Sequence, residues 1–160
     1  MCGFTGFLDS GSIHASDWPN LLELMSGRIS HRGPDDAGFW TDVESGIGLA
    51  HRRLSIVDLS PAGHQPMMSV SGRFVIAFNG EIYNHLDLRT ELGKVSNDGS
   101  AVGAWRGHSD TETLLAGIER WGVKATLKKA VGMFAFALWD RDTRRLTLAR
   151  DRMGEKPLYY

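Results

Sequence analysis

Phe74-Val75-Ile76-Ala77-Phe78-Asn79-Gly80-Glu81 is the stretch on which the fold turns. Its first five residues are a continuous apolar run of strand length, without the apolar–polar alternation of a half-exposed strand. Such a run predicts a strand covered on both faces. Downstream, Met133–Trp139 and Leu146–Ala149 read as a strand pair joined by the charged turn Asp140-Arg141-Asp142-Thr143. Upstream, Cys2–Leu8 reads as a strand that ends at Asp9-Ser10-Gly11, and strand-like segments follow at Phe39–Thr41, Ile47–His51 and Leu54–Val57.

Helices are expected between these strands. Asp17 before Trp18-Pro19 gives an acidic cap with proline in the first turn, and Leu21, Leu22, Met25 and Ile29 recur at helical spacing. Asn84 is placed to cap a short helix carrying Leu86, Leu88 and Leu92. Ser109 and Glu112 form a capping box ahead of Leu114, Leu115, Ile118 and Trp121. His31–Gly38 and Asp58–Pro66 read as loops, and the glycine-rich Gly93–Gly107 is the candidate for a mobile loop or lid. Strands separated by helical stretches, with hairpins between other strands, predict an α+β layered domain.

The chain has 160 residues, 42% hydrophobic and 23% charged, with a formal net charge of −1. That is the size of one globular domain, and the near-zero charge gives no support to nucleic-acid binding. No apolar run approaches the ~18 residues of a membrane span, so no membrane association is expected. The single cysteine forms no internal disulfide, which favours a cytoplasmic setting. The six histidines lack metal-ligand spacing; they read as surface or loop residues, and no metal is expected. The run Leu158-Tyr159-Tyr160 carries no turn signal, so a longer protein is expected.

Five residues could carry chemistry. Cys2 is either a buried thiol at the start of a strand or, once Met1 is removed, a nucleophile that carries its own α-amine as base. Asn79-Gly80 is either a hairpin turn or a pair of donors for a tetrahedral oxyanion, from the Asn amide and the Gly N–H. Arg53 is either a solvated strand residue or a bidentate anchor for a carboxylate. Asp110 either complements its helix N-terminus or pairs with an ammonium. Arg53 and Asp110 together would suit the two charged groups of a free amino acid.

The motifs Met1-Cys2-Gly3, His31-Arg32-Gly33-Pro34-Asp35, His51-Arg52-Arg53-Leu54-Ser55-Ile56-Val57-Asp58, Phe78-Asn79-Gly80-Glu81-Ile82-Tyr83-Asn84 and Ser109-Asp110-Thr111-Glu112 stand in the order seen in class II glutamine amidotransferase domains. The segments Gly132–Asp140 and Ala149–Tyr160 continue the resemblance over essentially the whole chain. Within that superfamily the sequence most resembles the N-terminal glutaminase domain of the glutamine-hydrolysing asparagine synthetases, through His31-Arg32-Gly33-Pro34-Asp35-Asp36 and Ser55-Ile56-Val57-Asp58.

The resemblance implies an N-terminal-nucleophile hydrolase fold, a four-layer sandwich of two β-sheets between helical layers. Residues 1–160 would then be a glutaminase domain, incomplete at its C-terminus, with an ATP-dependent synthetase domain beyond it on the same polypeptide. It implies that Cys2 attacks the glutamine side-chain amide, with Asn79 and Gly80 as the oxyanion hole. Arg53 would hold the α-carboxylate, and Glu81, Asp110 and the backbone of Leu54, Ser55, Ile56 and Val57 would hold the rest. No cofactor is implied for this half; ATP and Mg would serve the synthetase domain. The ammonia would convert aspartate to asparagine, or amidate another carboxylate such as a sugar uronate. A non-catalytic glutamine-binding or assembly module is the alternative of another class, and a homodimer is left open.

Overall fold

The computed structural model describes residues 2–55, 61–94 and 105–160. Its strands are β1 (Gly3–Leu8), β2 (Asp36–Asp42), β3 (Ile47–Arg53), β4 (Met67–Met68), β5 (Phe74–Ile82), β6 (Gly132–Asp140) and β7 (Arg145–Arg150). Its α-helices are α1 (Trp18–Arg28), α2 (His85–Leu92), α3 (Asp110–Trp121) and α4 (Val123–Lys129). The strands form two antiparallel sheets, ordered β1-β3-β2 and β4-β5-β6-β7.

The apolar run in β5 is covered on both faces, as its composition predicts. Phe74, Ile76, Phe78 and Ile82 join Leu88 of α2, Leu114, Leu115 and Ile118 of α3, and Phe134, Phe136 and Leu138 of β6 in one core. On the opposite face Val75, with Ala137 and Trp139, meets Ile47 and Leu49 of β3 in a second core between the sheets. α1 packs on β1 and β3. The layers therefore run helix, sheet, sheet, helices, the sandwich expected. Fully burying each large apolar side chain stabilises such a core by about 1.5–3 kcal/mol.

The two-residue period of strands decides which side chains meet at the seam between the sheets. On β3, His51 and Arg53 share the face of Ile47 and Leu49; on β5, Asn79 shares the face of Val75. Cys2 precedes β1 in phase with Phe4, which packs against the inter-sheet core. The candidate site residues thus collect at one end of this seam.

Several local expectations are corrected. Asn79-Gly80 is not a hairpin turn: both residues lie within β5, paired with Ala135 and Phe134. β3 ends at Arg53, so Leu54 and Ser55 are not a strand, and Ile56 and Val57 lie outside the described residues. His51 is buried in β3, not a surface or loop histidine. Asp17 precedes α1 without a side-chain cap bond, and α1 buries Trp18, Leu22 and Ser26 while Leu21, Met25 and Ile29 are half-buried. Asn84 also makes no cap bond. Its amide accepts from Val131 N at 2.9 Å and donates to Lys129 O at 3.0 Å, tying α2 to the start of β6. Leu86 points to solvent. The Ser109 hydroxyl does cap α3, accepting from Glu112 N at 3.2 Å. Of the candidate lid, residues 95–104 lie outside the described residues.

Candidate active site

A cavity of about 90 Å³ opens at the end of the seam, lined by Cys2, Arg53, Leu54, Asn79, Gly80 and Asp110 among others. Cys2 is half-buried. Its Sγ accepts the Leu54 N–H at 3.4 Å and donates to Leu54 O at 3.6 Å, which sets the thiol against the backbone just after β3. The chain holding Cys2 is fixed by Arg32, whose Nε donates to Cys2 O at 3.2 Å. Gly3 makes that approach feasible, because a Cβ there would meet Arg32 Cδ at 3.2 Å and Ile29 Cδ1 at 3.3 Å.

Leu54 and Ser55 are held in turn by Asp35. Its Oδ2 accepts from Ser55 N at 2.8 Å, and its own N–H donates to Arg53 O at 3.0 Å. Sequence reading assigned Arg32 and Asp35 no role. An aspartate after proline, able to take nearby backbone N–H groups, is the available signal for one of them.

Arg53 is buried at the end of β3, and its guanidinium lies against the backbone of Gly63. The Asn79 side chain is buried, and no hydrogen bond joins its amide to another side chain or backbone group among the described residues. Gly80 is demanded by its neighbour strand, since a Cβ there would come within 2.6 Å of Phe134 Cα. Glu81 lines the exposed rim.

Asp110 opens α3 and is buried, which pushes its carboxyl above the usual carboxylate range. N–H donors from Ile82, at 2.8 Å, and Thr111, at 2.9 Å, oppose that rise. One carboxylate offers about four lone-pair sites, so two backbone bonds leave room for an ammonium.

Lys156 is a residue the sequence reading missed. It is buried and lines the same cavity. It is delivered by a loop wound around Asp151, whose carboxylate accepts N–H groups of Phe134 at 3.1 Å, Met153 at 3.1 Å, Glu155 at 2.9 Å and Lys156 at 3.0 Å. Among the described residues no group of three or more His, Cys, Asp or Glu side chains is arranged to hold a metal ion, and no helix is long and apolar enough to cross a membrane.

One thiol, a primary amide donor and a glycine N–H on a central strand, a buried guanidinium and a buried carboxylate therefore converge from the residue before β1 and from β3, β5 and α3. Residues 1–160 match the sequence model of the glutamine amidotransferase domain. The chain belongs to this glutamine amidotransferase family. It is 41% identical to asparagine synthetase (glutamine-hydrolyzing) 1 of Bacillus subtilis, a match covering 100% of this chain and 24% of that protein. It is 35% identical to amidase chry2 of Gibberella zeae, over 100% of this chain and 24% of that protein. The domain thus spans about a quarter of the length of the curated relatives it matches. The glutamine phosphoribosylpyrophosphate amidotransferase of B. subtilis, solved with ADP and GMP, shares its fold at a TM-score of 0.65 and 21% identity, covering 94% of this chain and 37% of that one. This amidotransferase domain is related to asparagine synthetase by sequence, and its sandwich is that of the N-terminal-nucleophile amidotransferases.

Proposed function

We propose that the domain hydrolyses L-glutamine to glutamate and ammonia, with Cys2 as nucleophile after removal of Met1. The α-amine of Cys2 takes the thiol proton, and the sulfur adds to the side-chain amide carbon. The negative charge that forms on the amide oxygen is met by the Asn79 side-chain NH₂ and the Gly80 N–H. Collapse expels ammonia, with the α-ammonium returning its proton to the leaving nitrogen and a thioester left on Cys2. Water, deprotonated by the same amine, attacks the thioester and releases glutamate and the free thiol. Arg53 anchors the α-carboxylate bidentately and Asp110 the α-ammonium, while Glu81 and the Leu54 backbone hold the rest of the substrate.

The observation that carries this reading is the convergence of Cys2, Arg53, Asn79, Gly80 and Asp110 on one cavity. In the intact polypeptide the ammonia would pass to an ATP- and Mg-dependent synthetase portion and convert aspartate to asparagine; the glutaminase step itself draws on no cofactor. The alternative acceptor is another carboxylate, such as a sugar uronate.

The test is glutamate release by the full polypeptide beginning at Cys2. Cys2→Ala is expected to abolish it, and release at the wild-type rate would overturn the nucleophile assignment. Asn79→Ala is expected to lower kcat by ~10²–10³, the range for one oxyanion donor. A loss below about tenfold would remove Asn79 from that role.

A further inference from the structure

We propose that Gln65 and His51 are positioning residues for the oxyanion donors, standing in for a strand that stops short and so leaving the Gly80 N–H open to the cavity. The inference rests on the reading of Asn79 and Gly80 given above. β4 pairs with β5 through Met67↔Ile76 and Met68↔Val75. Continued backwards, that antiparallel register would set Gln65 opposite Phe78 and Gly63 opposite Gly80. The strand ends first, at Met67.

Beyond β4, side chains serve the exposed edge of β5. Phe78 N donates to Gln65 Oε1 at 2.7 Å, and Phe78 O accepts from His51 Nε2 at 2.9 Å. Ile82 N donates to Asp110 Oδ2 at 2.8 Å. Backbone N–H groups of a strand alternate between its two edges, so the Gly80 N–H lies on this edge, midway between the Phe78 and Ile82 donors. Had β4 run back to Gly63, that residue's carbonyl would occupy it.

The grip on the Phe78 peptide is itself anchored. Gln65 is buried and its Nε2 donates to Thr111 Oγ1 at 3.4 Å, which ties the peptide to α3. His51 is buried in β3 and ties it to the other sheet. A carbonyl only accepts, so the Nε2 of His51 carries the proton, and its buried Nδ1 has no partner among the described residues. Phe78 N belongs to the peptide before Phe78 and Phe78 O to the peptide that joins it to Asn79, so the two bonds fix the backbone on both sides of Phe78 and with it the placement of Asn79 and of the Gly80 N–H that follow. An ångström of misplacement at a reacting centre lowers rates by about 10²-fold.

The experiment compares kcat, KM for glutamine and the rate of Cys2 alkylation by iodoacetamide in the full polypeptide. Iodoacetamide displaces iodide without building an oxyanion, so it reads the thiol alone. Gln65→Met is expected to lower kcat by roughly ten- to a hundredfold, with KM within about threefold and alkylation unchanged. Gln65→Glu, which keeps the acceptor, is expected to recover most of kcat. At position 51, His51→Gln reaches Phe78 O and His51→Asn falls short, so kcat should follow wild type, then Gln, then Asn; this pair decides the matter if Gln65→Met does not fold. Folded variants with kcat within twofold of wild type would overturn the proposal, as would losses shared equally by kcat, KM and alkylation. Retained activity in Asn79→Ala would instead refute the oxyanion reading beneath it, and is scored separately.

Discussion

A Cβ on Gly63 would lie 2.7 Å from Arg53 Cζ, inside the guanidinium. Gly63 has no left-handed backbone to excuse it, so what excludes a side chain is the arginine head it supports. Gly63→Ala is therefore expected to push Arg53 away from the α-carboxylate while leaving Cys2 and Asn79 in place. A hydrogen bond to a charged group is worth about 1.5–3 kcal/mol, so KM for glutamine should rise roughly ten- to a hundredfold with little change in kcat. A fall in kcat at constant KM would show that Arg53 does not bind ground-state glutamine. At this scale the sequence supplied candidates, each with two readings: a cysteine at position two, an Asn-Gly pair, an arginine and an aspartate. It was silent on Arg32, Asp35, Gln65 and Lys156, whose roles depend on how the chain packs, as with Cys2 for Arg32 and Thr111 for Gln65.

Among the elements, the 151–156 loop shows how one side chain can replace secondary structure. Burial alone would raise the Asp151 carboxyl, but N–H donors from Glu155, Lys156, Phe134 and Met153 outweigh it and hold it below the usual range. A carboxyl lowered by folding stabilises above its ordinary value of 3.8, and that contribution fades as pH falls through the folded value. Asp151→Asn turns an NH₂ toward two of these donors. It is expected to lose about 2–3 kcal/mol of stability near neutrality, in denaturant melts, with the gap to wild type narrowing as pH falls below 3.8 and the carboxyl protonates. A gap that does not change with pH would mean the carboxylate charge is irrelevant to the loop. The strands β5, β6 and β7 were legible because apolar runs and a charged turn are local signals. The caps were less so. Asn84 and Asp17 have cap chemistry, yet the Asn84 amide is drawn to β6 by a contact no local pattern encodes.

For the molecule as a whole, the two sheets meet through a core that includes one neutral histidine. Burial lowers His51 from 6.5 to about 4, and its hydrogen bond to Phe78 O only partly offsets this. Between those values the unfolded chain binds the extra proton, so stability rises with pH through this window and is complete above about 6.5. Acidification from pH 7 to about 5 should remove roughly 2 kcal/mol through this group. His51→Gln, with nothing to titrate there, should flatten that limb in denaturant midpoints measured across the window. An unchanged slope would place the acid sensitivity elsewhere.

The sequence by itself determined the layered α+β class, the central strand covered on both faces and the capped helix carrying Asp110, because each follows from periodicity or from side-chain chemistry. Only the tertiary structure decided that Asn79-Gly80 sits inside a strand and not in a turn, that β4 ends before it reaches Gly80, and that Gln65, His51, Asp35 and Asp151 hold the backbone around the cavity. Those facts turn on which groups lack a main-chain partner once the two sheets are stacked, and unpaired polar groups exist only in the folded arrangement.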